Sequence, residues 1–235
     1  PEQYIQNTCK VIDITAVVGI KIIEMCLLTG KLFFFTSTSE IYGKNNKIPF
    51  KEDDDRVLGS TSTSRWCYSS SKAILEHYLN ACSYSREINH ITVRLFNVYG
   101  PRLKGRVVSN FIENVSRGED ILVHGEGKQT RSFTYVDDVI EAFDLLVSDS
   151  NCHNQIFNVG NQRETSIKGL AEIIKRASNC DSKIKYIPHS QYYGEGYEDM
   201  DRRVPDISKL KEYTNWEPKT SLEEGIAKTL EYTNG

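Results

Sequence analysis

No glycine-rich phosphate turn of the G-x-x-G-x-x-G type occurs in these 235 residues. Such a turn feeds a helix whose N-terminus grips a dinucleotide pyrophosphate. Gly125-Glu126-Gly127 follows a short apolar stretch, but Lys-Gln-Thr-Arg comes next, so it predicts only a turn. An excess of basic charge is also missing. The net charge is -3, which excludes general attraction to nucleic acid or to anionic membranes. No apolar run reaches the roughly 18 residues of a membrane span. The first residues carry Glu2, Gln3 and Gln6 in place of the basic start of a signal peptide. The six cysteines (9, 26, 67, 82, 152, 180) form no C-x-x-C and have no nearby histidine pairs. That pattern predicts reduced thiols in a cytoplasmic protein and no metal site. Asp53-Asp54-Asp55 lacks further ligands and predicts a solvated turn. There is no internal repeat and no low-complexity tract.

What is present alternates between two periods. Residues 4–28 read as one amphipathic helix ended by Thr29-Gly30. Leu32 to Phe35 is a continuous apolar strand of the kind buried on both faces of a parallel sheet. Residues 44–65 are polar and predict a long loop. A helix over 67–86 and a strand over Ile91 to Phe96 follow. Further helices are expected over 107–117, 136–147, 167–177, 206–213 and 221–233, and strands over 121–123, 156–159 and 184–187. Helix followed by buried strand, repeated, is the βαβ pattern of a doubly wound α/β sheet.

Two stretches carry chemistry. Tyr68-Ser69-Ser70-Ser71-Lys72 lies at the start of an apolar-periodic helix, which puts Tyr68 and Lys72 on one face. A cation beside a phenol favours the phenolate and makes it usable as a general base. Thr36-Ser37-Thr38-Ser39-Glu40-Ile41-Tyr42-Gly43 supplies hydroxyls and a carboxylate at the end of a buried strand, where open α/β sheets bind ligands. Taken alone, Y-x-x-x-K has a plainer reading: a buried aromatic and a solvated lysine on one helix.

The order T-S-T-S-E-I-Y-G, Y-S-S-S-K, then Val93-Arg94-Leu95-Phe96-Asn97-Val98-Tyr99-Gly100-Pro101-Arg102 resembles the extended short-chain dehydrogenase/reductases, the NAD-dependent epimerase/dehydratase family acting on nucleotide sugars. Within it, Gly105-Arg106-Val107-Val108-Ser109-Asn110-Phe111-Ile112, Gly127 to Phe133 and Arg203-Val204-Pro205-Asp206-Ile207 are similar to the group that decarboxylates UDP-glucuronate. Tyr197-Glu198-Asp199-Met200 resembles related bacterial sequences.

The resemblance implies NAD as cofactor and a UDP-sugar as substrate. It implies oxidation at sugar C4, loss of CO2 and re-reduction. The catalytic set would be Tyr68, Lys72, Thr38, Ser39, Glu40 and Arg203. Tyr68, Lys72, Val98 and Thr15 would lie against the cofactor. Asn97, Arg106, Asn110, His124 and Arg131 would bind substrate, with Asn97 and Arg131 on the diphosphate and His124 beside the uracil. Each has a plainer reading; Arg203, for one, could be a surface loop arginine.

The resemblance further implies the C-terminal portion of a Rossmann-like sheet plus a smaller α/β substrate-binding domain. The nucleotide-binding part would be 1–102, with 132–160 returning to it; 103–131 and 161–235 would hold the sugar nucleotide. The first βαβαβ part of the family fold is expected to be absent. A homodimer through the helices near 8–27 and 68–86 is implied too. One departure is visible: the family's N-x-x-G-T-L-N on the first helix is Ala16 to Ile22 here, and Ile14 stands where the decarboxylases carry a lysine. Ser39-Glu40 after Thr38 argues against a 4,6-dehydratase. A UDP-sugar 4-epimerase would use the same Tyr68, Lys72 and Thr38. A reading from another class is a non-catalytic remnant or interaction module.

Overall fold

The computed structural model describes residues 6–85, 88–188 and 202–234. The expected first helix is three pieces: α1 (Thr8–Ile12), a π-helical turn (Asp13–Val17) and α2 (Val18–Thr29). Gly30, left-handed at φ 62°, ends it. This departs from the single α-helix expected, because period alone does not reveal a one-turn π insertion. Gly19 explains a close approach there: a Cβ at this position would lie 2.6 Å from Leu75 Cδ1.

A three-stranded parallel sheet forms the centre, in the order β1 (Phe33–Thr38), β2 (His90–Leu95), β7 (Gln155–Val159). Helix α3 (Trp66–Tyr84) covers one face, where Phe35, Leu75, Leu79 and Ile23 pack together. Helix α5 (Val136–Ser148) covers the other, where Ile91, Val93, Ala142, Leu146, Phe157 and Val159 are buried with Trp216. Alternation along β2 therefore sends Thr92 and Arg94 toward α3.

The shorter elements are β3 (Val98–Tyr99), α4 (Val107–Ser116), β4 (Ile121–His124), β5 (Thr130–Ser132), β6 (Thr134–Tyr135), β8 (Glu164–Ser166), α6 (Ile167–Ser178), β9 (Ile184–Ile187), α7 (Ser208–Thr214) and α8 (Leu222–Asn234). Strands β4 and β9 pair in parallel, and α4, α6 and α8 join them in a second apolar core of Ile112, Ile121, Val123, Leu170, Ile174 and Ile226. Asp138 in the first turn of α5 does more than suit the helix dipole: it is buried and accepts hydrogen bonds from Thr220 N at 3.0 Å and Thr220 Oγ1 at 2.9 Å. All six cysteines are free thiols. Among the described residues no helix is long and apolar enough to cross a membrane, and no acidic, His or Cys group could hold a metal ion.

Candidate active site

Strand β1 ends at Thr38, whose hydroxyl accepts from Glu40 N at 3.2 Å and so starts the 3-10 turn Ser39–Tyr42. That turn needs Gly43, at φ 59°, since a Cβ there would fall 2.2 Å from Val57 O. Ser69, in the first turn of α3, donates to Glu40 O at 2.7 Å. The neighbour of Tyr68 is thereby fastened to the strand end. One turn on, Lys72 Nζ donates to Thr36 O at 2.8 Å and lies 5.9 Å from the Tyr68 ring centroid and 4.8 Å from that of Phe35. Burial pushes the Lys72 ammonium below the ordinary lysine value, and the Glu76 carboxylate pulls it back up. Bonds to Thr36 O and Glu40 O thus hold the helix turn of Tyr68 and Lys72 against the strand end on which Thr38 lies.

Glu40 is held between two arginines. Arg203 Nη1 lies 2.6 Å from Oε1, and Arg65 Nη2 lies 3.3 Å from Oε2. Both guanidiniums are nearly buried, so Arg203 is no surface loop residue. Its segment is tied down on either side: Phe50 N donates to Val204 O at 2.9 Å, Asp206 N to Phe50 O at 2.7 Å, and Ser132 Oγ to Arg203 O at 3.1 Å. Within loop 44–65, Phe50 forms an isolated parallel bridge with Pro205, and this pairing carries Arg203 over Glu40. Arg65 was not foreseen from the sequence. Its signal was available: it stands three residues before Tyr68, within one helical turn.

A second polar group was also missed. Ser37, Arg94 and Asn158 share one register across β1, β2 and β7. Arg94 grips Glu76 of α3 with both arms, at 3.1 and 2.7 Å, and Ser37 Oγ donates to Glu76 Oε1 at 2.5 Å. Arg94 Nη1 also donates to Tyr42 OH at 3.0 Å, and Tyr42 OH donates to Asn158 Oδ1 at 2.6 Å. Burial works against charge on Arg94, but Glu76 and Tyr42 outweigh it and keep the guanidinium protonated. Burial pushes the Tyr42 phenol up to about 12.

The remaining expected residues are more dispersed. Asn97, left-handed at φ 36°, donates from Nδ2 to Ser132 O at 3.1 Å, so its amide is already engaged in structure. Val98 is half-buried on β3, directly after it. Arg131 is buried on β5 and donates to Thr130 O at 2.8 Å. Thr15 is half-buried on the π turn, which packs against α3. Arg106 and Asn110 are exposed at the start of α4, and His124 is half-buried at the end of β4. Tyr197 to Met200 lie outside the described residues.

The family description "GDP-mannose 4,6 dehydratase" matches residues 2–229. The chain belongs to that family. Within it, the chain is 39% identical over 216 residues to the UDP-N-acetyl-alpha-D-glucosaminuronate decarboxylase of Bacillus cytotoxicus, covering 90% of this chain and 66% of that protein. It is 36% identical to UDP-glucuronic acid decarboxylase 1 of Arabidopsis thaliana, covering 98% of this chain and 52% of that protein. Two epimerases of the same fold are similar in structure. The UDP-glucose 4-epimerase of Thermotoga maritima, solved with UDP-glucose, matches at TM-score 0.86 and 31% identity, over 97% of this chain and 72% of that one. The UDP-glucose 4-epimerase of Thermus thermophilus, solved with NAD, matches at TM-score 0.79 and 27% identity, over 92% and 68%. The Rossmann-like α/β class expected from the sequence is thus correct for this family member. The chain spans about half to two-thirds of the length of these decarboxylase relatives.

Proposed function

We propose that this chain carries the catalytic residues of an NAD-dependent decarboxylase of UDP-hexuronates, either UDP-glucuronate or its 2-acetamido counterpart. The observation that carries the reading is the buried Arg65–Glu40–Arg203 group beside Thr38 and Tyr68. A planar guanidinium suits bidentate carboxylate binding, which a neutral hexose does not need. The similarity to two decarboxylases supports it. The 4-epimerase reading stays second: it is supported by the solved epimerases and uses the same Tyr68, Lys72 and Thr38, but the two relatives of higher identity are both decarboxylases.

The residues at the sheet end suit the nicotinamide–ribose half of NAD: a half-buried lysine and tyrosine beside a strand end, with Val98 and Thr15 as the further residues proposed to face it. When bound, NAD supplies the acceptor and donor of the C4 hydride. Tyr68 takes the proton of the C4 hydroxyl as that hydride leaves. Lys72 holds positive charge beside the phenolate, and Thr38 hydrogen-bonds the reacting oxygen. Ketone at C4 makes the C5 carboxylate a β-keto acid, so its C–C bond can break with the electron pair passing to the ketone oxygen. Arg203 and Glu40, with Ser39, orient that carboxylate. Asn97, Arg106, Asn110, His124 and Arg131 are proposed to hold the UDP part.

In this reading the sheet, α1 to α3 and α5 form the nucleotide half, and the core of β4, β9, α4, α6 and α8 the sugar-nucleotide half. Two copies associate through the face of α2 and α3, which leaves Val18, Ile22, Met25 and Ile74 exposed; sedimentation of an Ile22→Glu variant as a monomer, against a wild-type dimer, tests this. The free thiols go with a reducing, cytoplasmic setting. For the reaction itself, purified protein is given NAD and each UDP-hexuronate, and CO2 release is measured. Tyr68→Phe should lower turnover by about 10²- to 10⁴-fold while leaving UDP binding intact. Retained turnover overturns the role of Tyr68; a C4-inverted product that keeps its carboxylate establishes the epimerase.

A further inference from the structure

We propose that Glu76 is a positioning residue for the Tyr68–Lys72 pair. It fastens the helix that carries them to the row Ser37–Arg94–Asn158 and sets a fixed negative charge one turn behind Lys72. This deepens the reading above and rests on it for the role of the pair.

The geometry is specific. Residues 68, 72 and 76 recur every four positions and share a face of α3. Glu76 is buried, and both its oxygens are used: Oε1 by Ser37 and Arg94, Oε2 by Arg94. Ser37 neighbours Thr38, and Lys72 bonds the carbonyl of Thr36 on Ser37's other side. One carboxylate therefore fixes how far α3 can slide along the strand end that presents Thr38. Buried and bonded on both oxygens, it does not swing away; a charge in such a setting acts on its neighbours far more strongly than one in water. The groups recorded around Lys72 are Thr36 O, the rings of Phe35 and Tyr68, and Glu76. The carbonyl and the ring faces also favour the ammonium, but among these groups Glu76 alone carries a full negative charge.

Competitive acetylation of the folded chain, read peptide by peptide by mass spectrometry, tests this without NAD or a UDP-sugar. Exposed Lys104 serves as the internal reference. Glu76→Gln keeps the shape and removes the charge. It should raise Lys72 acetylation at pH 8 by about threefold or more, a half-unit fall in Lys72 affinity for its proton. Glu76→Asp, which keeps the charge, and Ser37→Ala, which removes only a neutral link, should leave the rate near that of wild type. Equal rises in all three variants are what loosened packing produces and overturn the proposal, as does no rise in Glu76→Gln. Since this labelling needs no turnover, its outcome is separate from that of Tyr68→Phe.

Discussion

At the sheet end, Ser37, Glu76, Arg94, Tyr42 and Asn158 meet through directional bonds of 2.5 to 3.1 Å, all out of water. In the second core, Ile112, Leu170, Ile174 and Ile226 meet through methyl groups alone. The first region cannot slip by an ångström without leaving a charge or a hydroxyl unpaired. The second can repack around a lost methylene at modest cost. A site that must hold Thr38, Tyr68 and Lys72 in register needs the first kind of cement. A core that only has to exclude water does not.

The sharpest way to break the contrast is Arg94→Met. It strands the Glu76 carboxylate in the interior, and unfolding by urea should show a loss of about 4 kcal/mol, as for other severed buried pairs. A loss below ~1 kcal/mol would mean that the network adds no more than ordinary packing. The next effect is a pH one. Burial drives His90 on β2 from 6.5 down to about 4, with Glu76 opposing. The folded state then holds fewer protons than the unfolded chain between those values. The contribution of this group to stability is complete above about pH 6.5 and falls as the pH drops, by on the order of 2 kcal/mol at pH 5 and about 3 kcal/mol at pH 4. His90→Gln should flatten that slope in urea titrations at pH 7 and pH 5; an unchanged slope assigns it to other groups. The smallest effect belongs to the second core: Ile174→Val should cost about 1 kcal/mol. A cost equal to that of Arg94→Met would erase the difference between the two regions.

Long periodic segments were legible in advance. Helices α3, α4, α5, α6 and α8 and strands β1, β2 and β7 fall within a residue or two of the expected spans for each, β1 apart, which runs three residues past Phe35 to Thr38. Strands β3, β5, β6 and β8 were not foreseen, because two or three residues show no alternation and exist only through their partners. The site divides the same way. Tyr68, Lys72 and Thr38 sit in local motifs. Arg203 was marked by resemblance, but its pairing with Glu40 depends on loop 44–65 docking against residues 204–206. The Ser37–Arg94–Asn158 row is invisible without knowing that three strands, far apart in the chain, share a register.

Gly19 and Leu75 are a pair whose histories are bound together. A side chain at 19 would land on the δ-carbons of Leu75, 2.6 and 2.9 Å away, and Leu75 is itself wedged among Ile23, Phe35 and Leu79. Position 19 can therefore gain bulk only where position 75 surrenders it. Among relatives that keep this crossing of helices, the two should drift in step, small beside large, and a library randomised at both positions should return survivors along that diagonal.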